Sequence, residues 1–343
     1  MSTNHQVLLE VDGLRKYFPI QKGFLRRTVA HIKAVDNVSL QIQRGEVLGV
    51  VGESGCGKTT LGRCLVRVYE PTGGQAILHT GSQDLTLDDL NGEQMRLFRR
   101  SVQMIFQDPF ASLNPRMNVL ETVGEPLRVN GIAKGRELEE RVSQMIQQVG
   151  LRVEHLRRYP HSFSGGQRQR IGIARALVVQ PKLVIADEPV SALDVSIQAQ
   201  ILNLLKDLQE RQELTYLFVS HNMAVIRYIS DRIAVMYAGK LVELGPKQML
   251  LSRPKHPYTE LLLAAVPRTI DRHQRTITAG EPPDLARLPS GCVFRTRCKY
   301  AQARCTEEEP QLQELESGHF VSCHFAADLS LGGVVPRVHS FAA

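Results

Sequence analysis

The feature that most constrains this chain is the run Gly52-Glu53-Ser54-Gly55-Cys56-Gly57-Lys58-Thr59, which satisfies G-x-x-x-x-G-K-[ST] at every fixed position. It follows the apolar run Val47–Val51 and precedes a helical pattern, the strand–loop–helix setting in which such a loop cradles phosphate. Glycines let backbone N–H groups turn inward onto phosphate oxygens, and the N-terminus of the next helix adds favourable partial charge. That dipole is worth only about 0.3–1 kcal/mol per interaction at exposed sites, so it cannot hold a triphosphate alone. Lys58 on the terminal phosphates and Thr59 on Mg²⁺, with Thr60 beside it, supply the rest. Cys56 occupies a variable position and reads as a small filler.

The remaining chain offers a sheet and helices to carry that loop. Apolar runs at residues 7–11 and 34–42 read as strands, with residues 19–27 (PIQKGFLRR) between them as a basic and aromatic surface hairpin. From about residue 90 to 160 apolar residues recur at three- and four-residue steps, as in residues 137–149, and imply a helical insertion. Runs of strand length at 182–186 and 216–220, separated by the helical 197–211, imply βαβ units and a mainly parallel sheet. From residue 254 onward prolines recur and cysteines appear, which reads as a separate C-terminal appendage. A length of 343 residues agrees with one large domain plus an appendage.

Composition narrows the setting. No stretch approaches the roughly 18 apolar residues of a membrane helix, and the first residues lack a signal-peptide pattern, so the expectation is a cytosolic chain. A formal net charge of +7 suits either nucleic acid or an anionic membrane surface. Of the 6 cysteines, Cys292, Cys298, Cys305 and Cys323 crowd together, which in such a compartment points to metal rather than disulfides.

Residues 183–188 (LVIADE) form an apolar run ending in two carboxylates, placing Asp187 at the C-terminal end of a strand, where open α/β sheets bind ligands. Asp187 is assigned to Mg²⁺ and Glu188 to the general base, a role typically worth about 10²–10⁴ in rate. Ser164-Gly165-Gly166-Gln167-Arg168 alone is a polar turn before a helix. Taken with the P-loop and the acidic strand end, it resembles the signature motif of ABC ATPases, over roughly residues 7–250.

The resemblance implies an ABC-type α/β fold: a RecA-like P-loop core with an antiparallel β subdomain and a helical subdomain at about 108–180, within a cassette spanning 7–253. It also implies that the signature of one cassette caps ATP bound to another. On the same footing Gln107 resembles the Q-loop residue that touches Mg²⁺ and water, residues 191–194 (SALD) resemble the D-loop with Asp194 at the dimer interface, and His221 resembles the switch histidine on the γ-phosphate. The family stacks an aromatic on adenine; Tyr17 and Phe18 are both available.

Residues 106–118 (FQDPFASLNPRMN), 163–170, 187–196 and 255–267 (KHPYTELLLAAVP) further resemble the ATPase subunits of dipeptide/oligopeptide/nickel importers, in particular the second ATPase of the dipeptide branch. That resemblance implies ATP hydrolysis driving import of dipeptides or short oligopeptides at the cytoplasmic face of a bacterial cell membrane. Its partners would be a homologous, non-identical ABC ATPase subunit, two transmembrane permease subunits and an extracytoplasmic peptide-binding protein, with no nucleic acid. Nickel chelate and glutathione are alternative cargoes, and a soluble ABC ATPase acting on nucleic acid is the rival class.

For the appendage (254–330, then a tail 331–343) the spacing C-x5-C-x6-C-x17-C departs from the close pairs of structural zinc sites. It suits a four-cysteine [4Fe–4S] cluster, which members of this family resemble, with zinc or unliganded thiols as alternatives. His319 and His324 lie nearby as substitute ligands or surface residues.

Overall fold

The computed structural model describes residues 6–23, 27–265, 280–281 and 283–333. The tip of the 19–27 hairpin (24–26), the end of the 255–267 segment and the tail from residue 334 lie outside the described residues.

Strands β1 (Val7–Lys22) and β2 (Arg27–Gln43) pair antiparallel along their whole length, from Val7 opposite Gln43 to Lys22 opposite Arg27. Residues 19–22 and Arg27 of the basic segment are thus the far end of this paired ribbon. Pro19 is tolerated there because β4 (Gly73–His79) pairs with β1 only over residues 9–15, leaving the stretch beyond it as an edge that needs no donor. With β5 (Asp84–Thr86) these strands form a four-stranded sheet in the order β2-β1-β4-β5.

The larger sheet carries the P-loop. Its parallel strands are β3 (Val47–Val51), β6 (Val102–Ile105), β7 (Leu183–Asp187) and β8 (Thr215–Ser220), joined on the other flank of β3 by β9 (Arg232–Tyr237) and then by β10 (Lys240–Pro246). β3, β7 and β8 are apolar at nearly every position because the sheet is covered on both faces. Val47, Val51, Val184, Ala186, Tyr216 and Phe218 point into one core. Leu48, Val50, Leu183, Ile185, Leu217 and Val219 point into another. The second core is closed by the antiparallel sheet and by helices α1 (Lys58–Leu65) and α2 (Gly92–Ser101).

The first core is closed largely by the helical insertion, α3 (Val119–Val129), α4 (Gly135–Gln148) and α5 (Gly165–Leu177). Asn118 starts α3 and Ser164 starts α5, each in a reciprocal capping box with Glu121 or Gln167 three residues on. α6 (Val195–Gln212) and α7 (Met223–Ile229) make the crossovers to β8 and β9.

The chain beyond residue 246 is built onto this core rather than set apart from it. After α8 (Lys247–Ser252) and α9 (Pro257–Ala264), the short α10 (Arg304–Glu307) leads into β11 (Gln313–Glu316) and β12 (His319–Val321), and β12 pairs with β10 to extend the sheet to eight strands. The anchor is Glu243 on β10, fully buried, whose carboxylate accepts the N–H of Lys255 (2.8 Å) and of His256 (3.0 Å) and faces His319 Nε2 at 2.8 Å. A carboxylate this deep persists because all its hydrogen-bonding demand is met. His319 is therefore an internal fastening and neither a surface residue nor a metal ligand.

Candidate nucleotide-binding site

The P-loop leaves the end of β3 and turns into α1 through Gly57, whose φ of 108° lies in the left-handed region and whose missing Cβ would meet the carbonyl of Ala34 at 2.0 Å. Gly52 is similarly hemmed in by the carbonyl of Met236 and by Cys56 Sγ. Cys56 is buried, and burial pushes its thiol above the ordinary range, in keeping with filler. No acidic side chain occupies the first turn of α1, so nothing there competes with an anion. Lys58 is buried, and its ammonium donates to the carbonyls of Gly52 (2.7 Å) and Glu53 (2.9 Å).

The loop floors a cleft of ≈ 660 Å³ lined by Ser54, Gly55, Gly57, Lys58, Thr59 and Thr60 at one end and by Phe18, Ile32, Ala34 and Leu285 at the other. Gln107, Glu188, Ser191, Ala192 and His221 complete the wall. A polar, glycine-lined end beside an apolar end suits a phosphate chain attached to a planar base, and the size falls in the ordinary range for ligand clefts.

Parallel pairing of β7 with β6 and β8 brings the chemistry together. The Thr59 hydroxyl donates to Asp187 Oδ1 at 2.9 Å, bridging the P-loop to the strand end. Asp187 is almost wholly buried; burial raises its pKa and the Thr59 hydrogen bond opposes that rise. Hydroxyl and carboxylate oxygens are the hard donors that Mg²⁺ takes, so this pair fits the ion. Glu188 follows with a φ of 46°, a left-handed conformation uncommon for a non-glycine residue and held by its N–H bond to the carbonyl of Val219 (3.0 Å). Its Oε2 accepts from Gln107 Nε2 at 3.1 Å and faces His221 Nδ1 at 3.0 Å, leaving Oε1 turned to neither.

Of the two aromatic candidates, Phe18 lines the cleft, edge-on to Tyr69 at 5.5 Å between ring centres. Tyr17 instead gives its hydroxyl to Asp36 Oδ1, and burial followed by that hydrogen bond pushes its pKa up to about 12. Ser164, Gly165, Gly166, Gln167 and Asp194 do not line the cleft of their own chain. Ser164 is exposed at the start of α5, and Asp194 stands exposed at the start of α6 without a capping bond from its side chain. The two turns pack together: a Cβ on Gly166 would strike Ile197 at 2.6 Å, and one on Gly165 would rest on Leu193.

The four C-terminal cysteines converge. Cys292, Cys298, Cys305 and Cys323 line one small cavity with His256, Phe294, His324 and Phe325. Its volume is ≈ 10 Å³, room for about one water molecule. Burial pushes the thiols of Cys292 and Cys323 up to about 11 and also raises that of Cys298. Among the described residues no three His, Cys, Asp or Glu side chains are arranged to hold a single metal ion, so the metal centre expected from the spacing is not assembled here. The donor chemistry, four soft sulfurs in an apolar shell, fits an iron–sulfur cluster in kind. His324 bonds the carbonyl of Glu308 through Nε2 at 2.9 Å.

Sequence reasoning missed Ile32, Ala34 and Leu285 in the cleft wall, as well as Arg297 and Tyr258, which fasten Glu53 from the C-terminal region. No local pattern marks these residues, since each reaches the site only through tertiary packing.

Comparison with known proteins places these features in a wider set. The ABC transporter family matches residues 35–191, and the family described as the oligopeptide/dipeptide transporter C-terminal region matches residues 242–305. The oligopeptide transport ATP-binding protein AppF of Bacillus subtilis is 51% identical over 328 residues, covering 94% of this chain and 98% of that protein. The dipeptide transport ATP-binding protein DppF of Haemophilus influenzae is 46% identical over 318 residues, 92% of this chain and 96% of that one. Among solved structures, a dimeric ATP-binding cassette in a post-hydrolysis state bound to ADP and Pi superposes with a TM-score of 0.61 at 28% identity, covering 70% of this chain and 99% of that one.

Proposed function

The chain belongs to the ATP-binding subunits of ABC transporters, in their oligopeptide/dipeptide branch, and on that premise we propose the following division of labour within an ATPase that energises peptide import. The observation that carries it is the placement of Glu188 between Gln107 and His221, beside the Thr59–Asp187 pair and Lys58. Lys58 and the P-loop amides hold the phosphate chain of ATP, Phe18 with Ile32 and Leu285 receives the base, and Thr59, Asp187 and Gln107 provide the oxygens for Mg²⁺. Mg²⁺, when bound, neutralises charge on the phosphate oxygens. Glu188 accepts the proton of the attacking water on its free Oε1, with Gln107 orienting the carboxylate and His221 reporting on the terminal phosphate.

Exposure of Ser164 and Asp194 outside their own cleft supports a role across a pair of cassettes, where the start of α5 would cap nucleotide held by the neighbour. We take that neighbour to be a homologous, non-identical subunit, the pair sitting beneath two permease subunits served by an extracytoplasmic peptide-binding protein at the cytoplasmic face of the cell membrane. Dipeptides and short oligopeptides are the cargo class. The match of residues 242–305 to a transporter C-terminal region favours this reading over an enzyme of nucleic acid.

The decisive test is Glu188→Gln, which should retain ATP binding while ATPase falls by at least about 100-fold. Undiminished turnover would remove Glu188 from the role of base.

The four cysteines are assigned to a [4Fe–4S] cluster that ties together the loops bearing them. A zinc ion, with Zn–S near 2.3 Å, draws four sulfurs to within about 4 Å of each other, whereas a cubane takes one thiolate per iron from wider positions. The four thiols lining one cavity support a shared ligand over isolated thiols. Anaerobically purified protein should carry about four irons with matching sulfide per chain; stoichiometric zinc, or neither metal, overturns the assignment.

A further inference from the structure

The P-loop is fastened from outside the cassette at one residue, Glu53. Its carboxylate receives a two-pronged pair of hydrogen bonds from Arg297, Nη1 to Oε2 at 2.7 Å and Nη2 to Oε1 at 2.9 Å. Its backbone N–H donates to the hydroxyl of Tyr258 on α9 at 2.8 Å. Its carbonyl accepts from Lys58 at 2.9 Å. Side chain, amide and carbonyl of this single residue are therefore all committed, two of them to the C-terminal region and the third to the lysine that meets the phosphates.

The donors are themselves firmly set. The Arg297 side chain is only 6% exposed, with its guanidinium 5.8 Å from the ring centre of Tyr237 and 6.0 Å from that of Phe294. Tyr258 is fully buried, its ring 4.6 Å from that of Tyr237 and 5.4 Å from that of Phe294. An ion pair so placed is a poor device for stability, because desolvation consumes most of its Coulombic gain. It is a good device for geometry, since a planar fork on a carboxylate fixes direction as well as distance. It also answers an electrostatic problem. Glu53 puts a carboxylate inside the loop that receives a triphosphate, and an unpaired negative charge there repels the ligand.

We propose that Arg297 is a positioning residue for nucleotide binding, holding Glu53, with Tyr258, so that the P-loop is pre-shaped and its one carboxylate neutralised. The C-terminal region is thereby part of the nucleotide site as well as a neighbour of it. This rests on the ATPase reading of the cleft, and the test separates the two.

The test is steady-state hydrolysis of MgATP by the full-length chain, with thermal stability measured on the same samples. Arg297→Ala should raise KM for ATP about tenfold while kcat stays within about twofold, because the groups around Glu188 are untouched. Arg297→Lys, which keeps the charge and loses the fork, should raise KM by an intermediate factor. Glu53→Gln should raise it modestly, and joined to Arg297→Ala it should give a KM no higher than Arg297→Ala alone, since both changes break one interaction. If Arg297→Ala does not fold, the cycle is run with Arg297→Lys and Glu53→Gln, each expected to raise KM and to combine less than multiplicatively. KM unmoved in folded variants, or effects that multiply, overturns the proposal. A wild-type chain without MgATP turnover fails the ATPase reading instead.

Discussion

The nucleotide cleft and the cysteine-lined cavity adjoin one another through the loop bearing Arg297 and Cys298, yet they are built in opposite ways. The cleft is open, ≈ 660 Å³, and its working groups sit at the ends of neighbouring strands or on the loops that follow them. The cavity is narrow, ≈ 10 Å³, and its lining comes mostly from irregular segments together with the start of α9 and the short α10. A site whose shape is set by a sheet persists whether or not anything occupies it. One whose walls are loops has its shape set by whatever ties those loops together. Function that requires a ligand to enter and leave belongs to the first kind, and a permanent fastening to the second.

The sharpest way to break this contrast is Lys58→Ala. Loss of the ammonium should lower ATPase by at least about 100-fold, while hydrogen exchange across residues 283–333 stays at wild-type values; a coincident loss of protection there would show that the regions are not separable. A smaller effect is expected from Gly57→Ala, which forces a side chain into a left-handed turn against Ala34. ATP affinity should fall about tenfold or more, again without change in the cavity. The converse experiment replaces Cys298 and Cys305 by serine. Hydrogen exchange should rise across residues 283–333 while strands β3, β7 and β8 stay protected, and KM for ATP should rise no further than in Arg297→Ala; loss of protection in β3 would contradict the division.

The smallest effect is a pH dependence. Burial pushes the pKa of His256, in the cavity wall, down to about 3. The unfolded chain binds a proton below about 6.5, and the folded chain does not until far lower, so stability is lost as pH falls through that window, by about 1.4 kcal/mol per pH unit at most. Melting temperatures between pH 7.5 and 5 should show the slope, and His256→Gln should flatten it. Because burial also raises Asp187 in the cleft, the difference between the wild type and His256→Gln, rather than the whole slope, belongs to the cavity side.

The same contrast explains what could be read from the residues alone. Lys58, Thr59, Asp187, Glu188, Gln107 and His221 were legible because a turn or strand end fixes each within a few residues of a recognisable pattern, and β7 and β8 carry apolar residues on both faces. Helices α3 and α4 follow from the periodicity of residues 90–160 and α5 from the polar turn at Ser164, whereas the short strand β6 (Val102–Ile105) inside that stretch is missed by it. Leu285, Arg297 and Tyr258 were not legible, because their place beside the P-loop depends on a chain path that returns across the whole molecule. That Phe18 lines the cleft while Tyr17 bonds Asp36 is announced by no adjacent pattern. β11 and β12 lacked the apolar alternation that marks a strand, since Gln313, Glu314, Leu315 and Glu316 lie along a largely open margin. The buried state of His319 depended on Glu243, a carboxylate hidden in a strand far upstream.

That margin carries a practical consequence. β12 covers the outward row of amides and carbonyls on β10. A chain cut after α8 would uncover that row and offer neighbouring molecules a strand to zip onto. Trimming the protein to a minimal cassette therefore invites self-association in solution, and any shortened form intended to stay monomeric must retain the hairpin or replace it with charge.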